Sequence, residues 1–269
     1  MSRLATKFAE FKKTGHKALI PFITAGDPNP AFTVPMMHAM VEAGADIIEL
    51  GIPFSDPMAD GPVIQRASER ALEHKMSLRH TLEMVTEFRS TDQTTPVVLM
   101  GYANPVEAMG YIDFADAAQK AGIDGLLTVD LPPEESQQCA DLLNARNIDQ
   151  IFLLAPNSSS ERIKKMDQVG SGFLYYVSVK GVTGAGNLDT ANVKSKLVNI
   201  RANTALPIAI GFGVKDAETA QTIAGLGDAV VVGSALISKI EANLDSPEQA
   251  KREITELLKS MRTAMDHQG

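Results

Sequence analysis

Two carboxylates, Glu49 and Asp60, lie in one stretch of the chain whose residue types suit acid/base chemistry. Glu49 follows the apolar residues Ile47 and Ile48, and Asp60 lies on the proline- and glycine-containing segment that comes next. Prolines and glycines form turns, so this segment can fold back over the end of the apolar run. A carboxylate in apolar surroundings has a raised pKa and can donate a proton near neutral pH. The arrangement of Glu49 and Asp60 therefore suits acid/base chemistry.

Both acids also have a purely structural interpretation. Glu49 could be paired with a basic neighbour inside the fold, although the other apolar runs of the chain contain no Lys or Arg. Asp60 precedes Gly61 and could form a simple Asp-Gly turn before a helix. The absence of a basic partner favours the catalytic interpretation of Glu49, whereas for Asp60 the residues alone leave both interpretations open.

The elements that must position these acids form a repeating pattern of strands and helices. Continuous apolar runs alternate with longer segments of helical periodicity, as is typical of buried parallel strands covered by helices. Eight such units predict a closed (β/α)8 TIM barrel, with all 269 residues in a single domain. The predicted strands are 18–24, 46–51, 96–101, 124–130, 150–155, 172–178, 206–211 and 228–232.

Two helical segments exceed what the barrel requires, namely an extra N-terminal helix over 3–14 and a doubled helical region over 62–90. Acidic residues that favour the first turn of a helix mark other helix starts. These predicted starts are at 133–135, 160–161 and 216–218.

Active sites of such barrels form at the carboxyl ends of the strands. The residues at these ends are largely apolar, and a pocket for a flat aromatic ligand would use the same types. Tyr175 could equally be a core aromatic, and Asp130 a turn residue before two prolines. The predicted substrate-binding residues are Phe22, Thr24, Met100, Leu127, Asp130, Leu153 and Tyr175.

Glycines after the seventh and eighth strands predict a phosphate site. Barrels commonly hold a phosphate at these two loops, where glycine lets backbone amides approach closely and a helix N-terminus adds partial positive charge. The alternative is that these glycines only turn the chain. The predicted phosphate-binding residues are Phe212, Gly213, Gly233 and Ser234, together with Gly184 on the glycine-rich loop after the sixth strand.

Composition excludes several other classes of function. A net charge of −8 argues against broad attraction to nucleic acid or to an anionic membrane. Cys139 is the only cysteine, so a disulfide framework is excluded and a cytoplasmic location is expected. No apolar stretch approaches the roughly 20 residues of a membrane span. The histidines show no ligand spacing, so neither a metal nor another cofactor is expected.

The segment around both acids resembles the signature of the tryptophan synthase alpha chain family, a Glu-Leu-Gly-x-Pro-Phe-Ser-Asp-Pro-x-Ala-Asp-Gly pattern. Residues 18–28 and 177–184 also look like hallmark stretches of that family, and the likeness extends from about residue 3 to 260. Met58 stands where the family often has Leu.

The resemblance implies a lyase that cleaves indole-3-glycerol phosphate to indole and glyceraldehyde 3-phosphate. Glu49 and Asp60 would be its catalytic acids, with Tyr175 as their neighbour. It further implies a partner, a pyridoxal-phosphate-bearing beta chain, in a heterotetramer of two alpha and two beta chains. The loop that contains Pro53, Phe54 and Asp56 would face this partner.

Other functions remain possible on these residues. Schiff-base and metal aldolases are disfavoured, because the predicted strands contain no lysine, histidine or cysteine. An isomerase or epimerase acting on another phosphosugar would share the phosphate site but not the spacing of Glu49 and Asp60. A regulatory subunit that binds ligand and activates a partner would not need both acids.

Overall fold

The computed structural model describes residues 2–177, 190–211 and 213–267 of the chain. Within these ranges eight strands form a closed barrel in sequence order, and every neighbouring pair is parallel. The strands are β1 Ala18–Thr24, β2 Ile48–Gly51, β3 Val97–Gly101, β4 Gly125–Thr128, β5 Asp149–Leu154, β6 Leu174–Tyr176, β7 Ile208–Ile210 and β8 Ala229–Val232. The predicted (β/α)8 barrel is confirmed, and each predicted strand overlaps an observed one.

Helices cover the outside of the barrel, and two of the connections between consecutive strands contain two helices each. The helices are α1 Arg3–Thr14, α2 Pro30–Glu42, α3 Pro62–Glu73, α4 Leu78–Arg89, α5 Ala103–Met109, α6 Tyr111–Ala121, α7 Gln137–Asn144, α8 Ser160–Val169, α9 Thr190–Arg201, α10 Ala217–Ala224, α11 Ser234–Ala242 and α12 Pro247–Asp266. The predicted N-terminal helix is α1, and the predicted doubled region is the pair α3 and α4. None of the helices in the described ranges is long and apolar enough to cross a membrane.

One predicted helix start is wrong by a few residues. The acids at 134 and 135 were expected in a first helical turn, but α7 begins only at Gln137. Glu135 instead donates its N–H to the carbonyl of Pro132 in a turn, at 3.0 Å. Two consecutive prolines lack N–H donors and restrict the residues before them, which delays the helix. The starts predicted near Ser160 and Asp216 are confirmed, and Asp216 caps α10.

Helix α1 closes the end of the barrel at which the strands begin. Its Leu4 and Phe8 are buried among side chains from inside the barrel, including Phe173, whose ring centre lies 5.8 Å from that of Phe8. Arg3 forms an ion pair with Asp124, just before β4, and Ser2 donates a hydrogen bond to Asp149 at the start of β5. The opposite end, where the strands finish, is therefore the end available for a ligand.

Candidate active site

Glu49 lies on β2, inside the barrel, with only 1% of its surface exposed. Its neighbours in register are Phe22 on β1 and Val98 on β3, and neither side-chain oxygen has a hydrogen-bond partner among the described residues. Burial, together with the smaller effect of the negative charge of Asp60, raises the pKa of Glu49 to about 8. The carboxyl is therefore protonated at neutral pH, as a general acid must be.

Asp60 lies on the loop between β2 and α3 and is held by a tyrosine that directly follows β3. The Tyr102 hydroxyl donates a hydrogen bond to Asp60 Oδ2 at 3.1 Å and accepts one from the Ala59 N–H at 2.9 Å. Burial raises the pKa of Asp60, and the hydrogen bond from Tyr102 partly offsets this rise. No role for Tyr102 follows from the sequence pattern, although its position directly after β3 places it at the correct end of the barrel.

A pocket at the mouth of the barrel joins several predicted substrate residues to Asp60. Phe22, Thr24 and Met100 line it. The hydroxyl oxygen of Thr24 is buried and has no hydrogen-bond partner within the described part of the chain, so it is available to a ligand. Residues outside the predicted substrate-binding set complete the pocket wall, namely Ile52, Ile64, Ser68, Tyr102 and Val129 with the backbone of Gly51 and Gly101.

Leu127, Leu153 and Tyr175 face the inside of the barrel. Leu127 is fully buried, while Leu153 and Tyr175 are partly buried and pack against the same interior cluster. A Cβ atom at Gly211 would overlap the Tyr175 hydroxyl, so the glycine at this strand end makes room for the tyrosine. Burial raises the pKa of Tyr175, and the charges of Glu49 and Asp60 add to the effect. Tyr175 therefore lies near both acids and stays protonated.

The start of α11, which belongs to the predicted phosphate site, lies beside the same pocket. Helix α11 begins at Ser234, and no side chain caps its N-terminus at Gly233. A Cβ atom placed on Gly233 would lie 3.5 Å from Phe22, a pocket residue. Gly213 has a φ of +66°, a backbone conformation that favours glycine. An uncapped helix N-terminus offers N–H donors and partial positive charge to an anion. Gly184 and Phe212 lie outside the described residues.

Asp130 has a visible structural contact. It is exposed, and its carboxylate accepts a hydrogen bond of 2.7 Å from the N–H of Ala103, the first residue of α5. The arrangement satisfies one donor at the start of that helix. A contact of Asp130 with substrate remains a prediction.

The loop predicted to face a partner exposes some of its residues and buries others. Pro53 is buried, and the ring of Phe54 stacks on Tyr102 with centres 5.1 Å apart. Asp56 is exposed and accepts a hydrogen bond from Ser55, while the apolar side chain of Met58 is 86% exposed. Phe54 thus connects the exposed part of the loop to the tyrosine that holds Asp60.

The described strands lack the groups that Schiff-base and metal aldolases use. They contain no lysine that could form a Schiff base. Over the same described ranges, no three His, Cys, Asp or Glu side chains are grouped so that they could hold a metal ion.

Comparison with known proteins agrees with the geometry. The family described as tryptophan synthase alpha chain matches residues 8–266. The chain is 63% identical over 266 residues to the tryptophan synthase alpha chain of Methylococcus capsulatus, covering 99% of this chain and all of the relative. That of Thioalkalivibrio sulfidiphilus is 60% identical at the same coverage. The crystal structure of tryptophan synthase subunit alpha from Legionella pneumophila superposes with a TM-score of 0.93 at 44% identity, covering 99% of both chains.

Proposed function

The chain belongs to the tryptophan synthase alpha chain family, and on that premise we propose how its own residues perform the reaction of the family. The protein is a carbon–carbon lyase of tryptophan biosynthesis. It cleaves indole-3-glycerol phosphate into indole and D-glyceraldehyde 3-phosphate. The observation that carries the proposal is the buried, unpartnered carboxyl of Glu49, whose pKa is raised to about 8.

Cleavage needs a proton at ring carbon 3 of the indole, because indole leaves poorly as a carbanion. We assign this proton to Glu49, which is protonated at neutral pH. Asp60 stabilises the positive charge that develops on the ring N–H, or accepts its proton and returns it to the ring nitrogen as indole leaves. The Glu49 carboxylate then takes the proton of the glycerol hydroxyl as the carbon–carbon bond breaks and the aldehyde forms. Glu49 ends the cycle protonated, so the proton balance closes without a metal or another cofactor.

The substrate is held at its two ends. The indole lies among Phe22, Met100, Leu127, Leu153 and Tyr175, and Thr24 and Asp130 offer polar contacts near it. The phosphate binds the start of α11 at Gly233 and Ser234, together with Gly213, Gly184 and Phe212. The support for this orientation is that Phe22 lies both in the mouth pocket and against Gly233.

The protein partner in this proposal is a tryptophan synthase beta chain that receives the indole. Two alpha and two beta chains form the assembly, and the loop with Pro53, Phe54 and Asp56 contacts the beta chain. The exposed Met58 on that loop supports a protein contact, because an apolar side chain gains from burial. The 269 residues act as a single domain, and the cytoplasm is the proposed location.

The test is indole release from indole-3-glycerol phosphate, with and without a beta chain, for wild type, Glu49→Gln and Asp60→Asn. The expected result is release by wild type that increases with the partner, and a loss of about 10²–10⁴-fold in either variant. Retained binding of glyceraldehyde 3-phosphate would show that the variants are folded. No release from folded wild type would favour another phosphosugar barrel or a regulatory subunit.

A further inference from the structure

Helix α3, which follows the loop of Asp60, presents two different faces. Ile64 and Ser68 line the mouth pocket beside Asp60. Arg66 and Arg70 instead form ion pairs with residues of two other elements. Residues four positions apart share a face of a helix, so each pair acts as one surface. The helix that forms part of the pocket wall is therefore also the one that these arginines connect to the rest of the barrel.

Arg70 connects α3 to the loop that follows β1. Its Nε and Nη2 donate to the two carboxylate oxygens of Asp27 at 2.6 and 3.0 Å. Asp27 is fully buried, and its N–H donates to the carbonyl of Thr24, a pocket residue, at 3.2 Å. A two-pronged arginine–carboxylate contact fixes orientation as well as distance. The pair therefore sets the position of α3 relative to Thr24.

Arg66 and Arg70 together connect α3 to α11. Arg66 donates to Glu241 at 2.5 and 2.8 Å, and Arg70 Nη1 donates to the same carboxylate at 3.2 Å. Glu241 lies in the last turn of α11, and the first residue of that helix is Ser234. Helices α3 and α11 pack on each other, and both pack on β1. The three charged groups thus join the pocket wall to the helix at the phosphate end.

We propose that Arg70, Arg66 and Glu241 are positioning residues that fix the N-terminus of α11 relative to the pocket wall on α3. The inference rests on the proposed function, because it concerns the two ends of the same substrate. When α11 is held less firmly, its N–H donors no longer meet the phosphate at the correct distance from the indole. Binding of the phosphate end weakens, while the contacts of the indole end are retained.

Glu241→Gln tests the proposal, and Glu253→Gln is its matched control. Glu253 also forms an ion pair with α11, through Lys239 at 3.4 Å, but it lies on α12 and not on α3. For each variant we would measure kcat and KM for indole-3-glycerol phosphate and inhibition by each product separately. In Glu241→Gln, we expect KM and the inhibition constant of glyceraldehyde 3-phosphate to rise about fivefold, with the constant for indole unchanged. The control should match wild type.

A second variant, Arg66→Lys, keeps a positive charge beside Glu241 but removes the two-pronged contact. It should show the same selective loss for the phosphorylated product. Equal weakening of both products, or no change in either, would overturn the positioning role, because a contribution to stability alone does not distinguish the two ends of the substrate. If wild type fails to cleave the substrate, the proposed function fails. Direct binding of glyceraldehyde 3-phosphate to wild type and Glu241→Gln still decides the positioning role.

Discussion

Tyr102 holds Asp60 by a hydrogen bond of 3.1 Å from its hydroxyl to Oδ2, and the same hydroxyl accepts the Ala59 N–H. One side chain at the end of β3 therefore fixes both the carboxylate and the backbone of its loop. The ring of Tyr102 also stacks on Phe54, which belongs to the loop proposed to meet the beta chain. A partner that moves this loop would act on Asp60 through Tyr102.

Tyr102→Phe should lower kcat/KM roughly tenfold, the effect expected for losing one hydrogen bond to a charged group. The pKa of Asp60 should rise further, because the hydrogen bond that lowers it is lost. The decline of activity at acid pH should therefore move to higher pH. Tyr111→Phe is the control, since the Tyr111 hydroxyl donates to Glu107 away from the pocket. Equal activity of Tyr102→Phe and wild type across pH would refute the role of Tyr102.

The raised pKa of Glu49 has a cost in stability that a pH series can reveal. The carboxyl has its ordinary pKa near 4.5 when unfolded and about 8 in the native barrel, so the native state binds the proton more tightly. Its contribution to stability is complete below the unfolded pKa and is lost as the pH rises to about 8. The free energy of unfolding should fall by up to about 1.4 kcal/mol per pH unit in this window.

Glu49→Gln should remove this dependence and exceed wild type in stability at about pH 8.5, while losing activity. Urea unfolding at about pH 6 and about pH 8.5 measures both effects. Glu73→Gln, a change at an exposed position on α3, should keep the wild-type dependence. If Glu49→Gln and wild type lose stability equally between the two pH values, Glu49 does not have the raised pKa.

Asp124 connects the N-terminal helix α1 to the barrel through ion pairs and should be important for stability. It pairs with Arg3 at 2.8 Å and with the buried Arg89 at 2.7 Å. Asp124→Ala leaves Arg89 buried without this carboxylate, so the free energy of unfolding should fall by about 3–5 kcal/mol. Asp116→Ala, which removes a surface partner of Arg146, should cost less than about 1 kcal/mol. Similar losses in the two variants would contradict the importance of the buried pair.

Met58 offers a direct test of the proposed partner surface. Its side chain is 86% exposed on the loop that contains Phe54 and Asp56. Met58→Asp should weaken beta-chain binding by tenfold or more, on the order of 1.4 kcal/mol, because a charge replaces an apolar contact. Val198→Asp changes an apolar residue on α9 that is 68% exposed and should leave binding unchanged. Titration with the beta chain gives the affinity directly. If Met58→Asp binds the beta chain as tightly as Val198→Asp does, the interface lies elsewhere.

Sequence patterns were sufficient for the barrel because its strands are continuous apolar runs bounded by turns and helices, as in Val97–Gly101. The same reasoning placed Glu49 on a strand, where it is the second residue of β2. It could not find the hydrogen bond from Tyr102 to Asp60 or the pairing of Arg70 with Asp27 and Glu241. Periodicity indicates which face of an element is buried, but the partner of a polar side chain depends on how distant elements pack. The delayed start of α7 shows that local preferences also compete, because acidic residues that favour a first helical turn follow two prolines that delay it.

In the proposed reaction, Glu49 enters as a protonated acid. The most direct measurement is kcat/KM for cleavage of indole-3-glycerol phosphate by wild type from about pH 6 to about pH 10, since this profile reports ionisation in the free enzyme. We predict that activity is lost as the pH rises through about 8, where Glu49 ionises. An activity that stays constant through this range, or increases with pH, would contradict it.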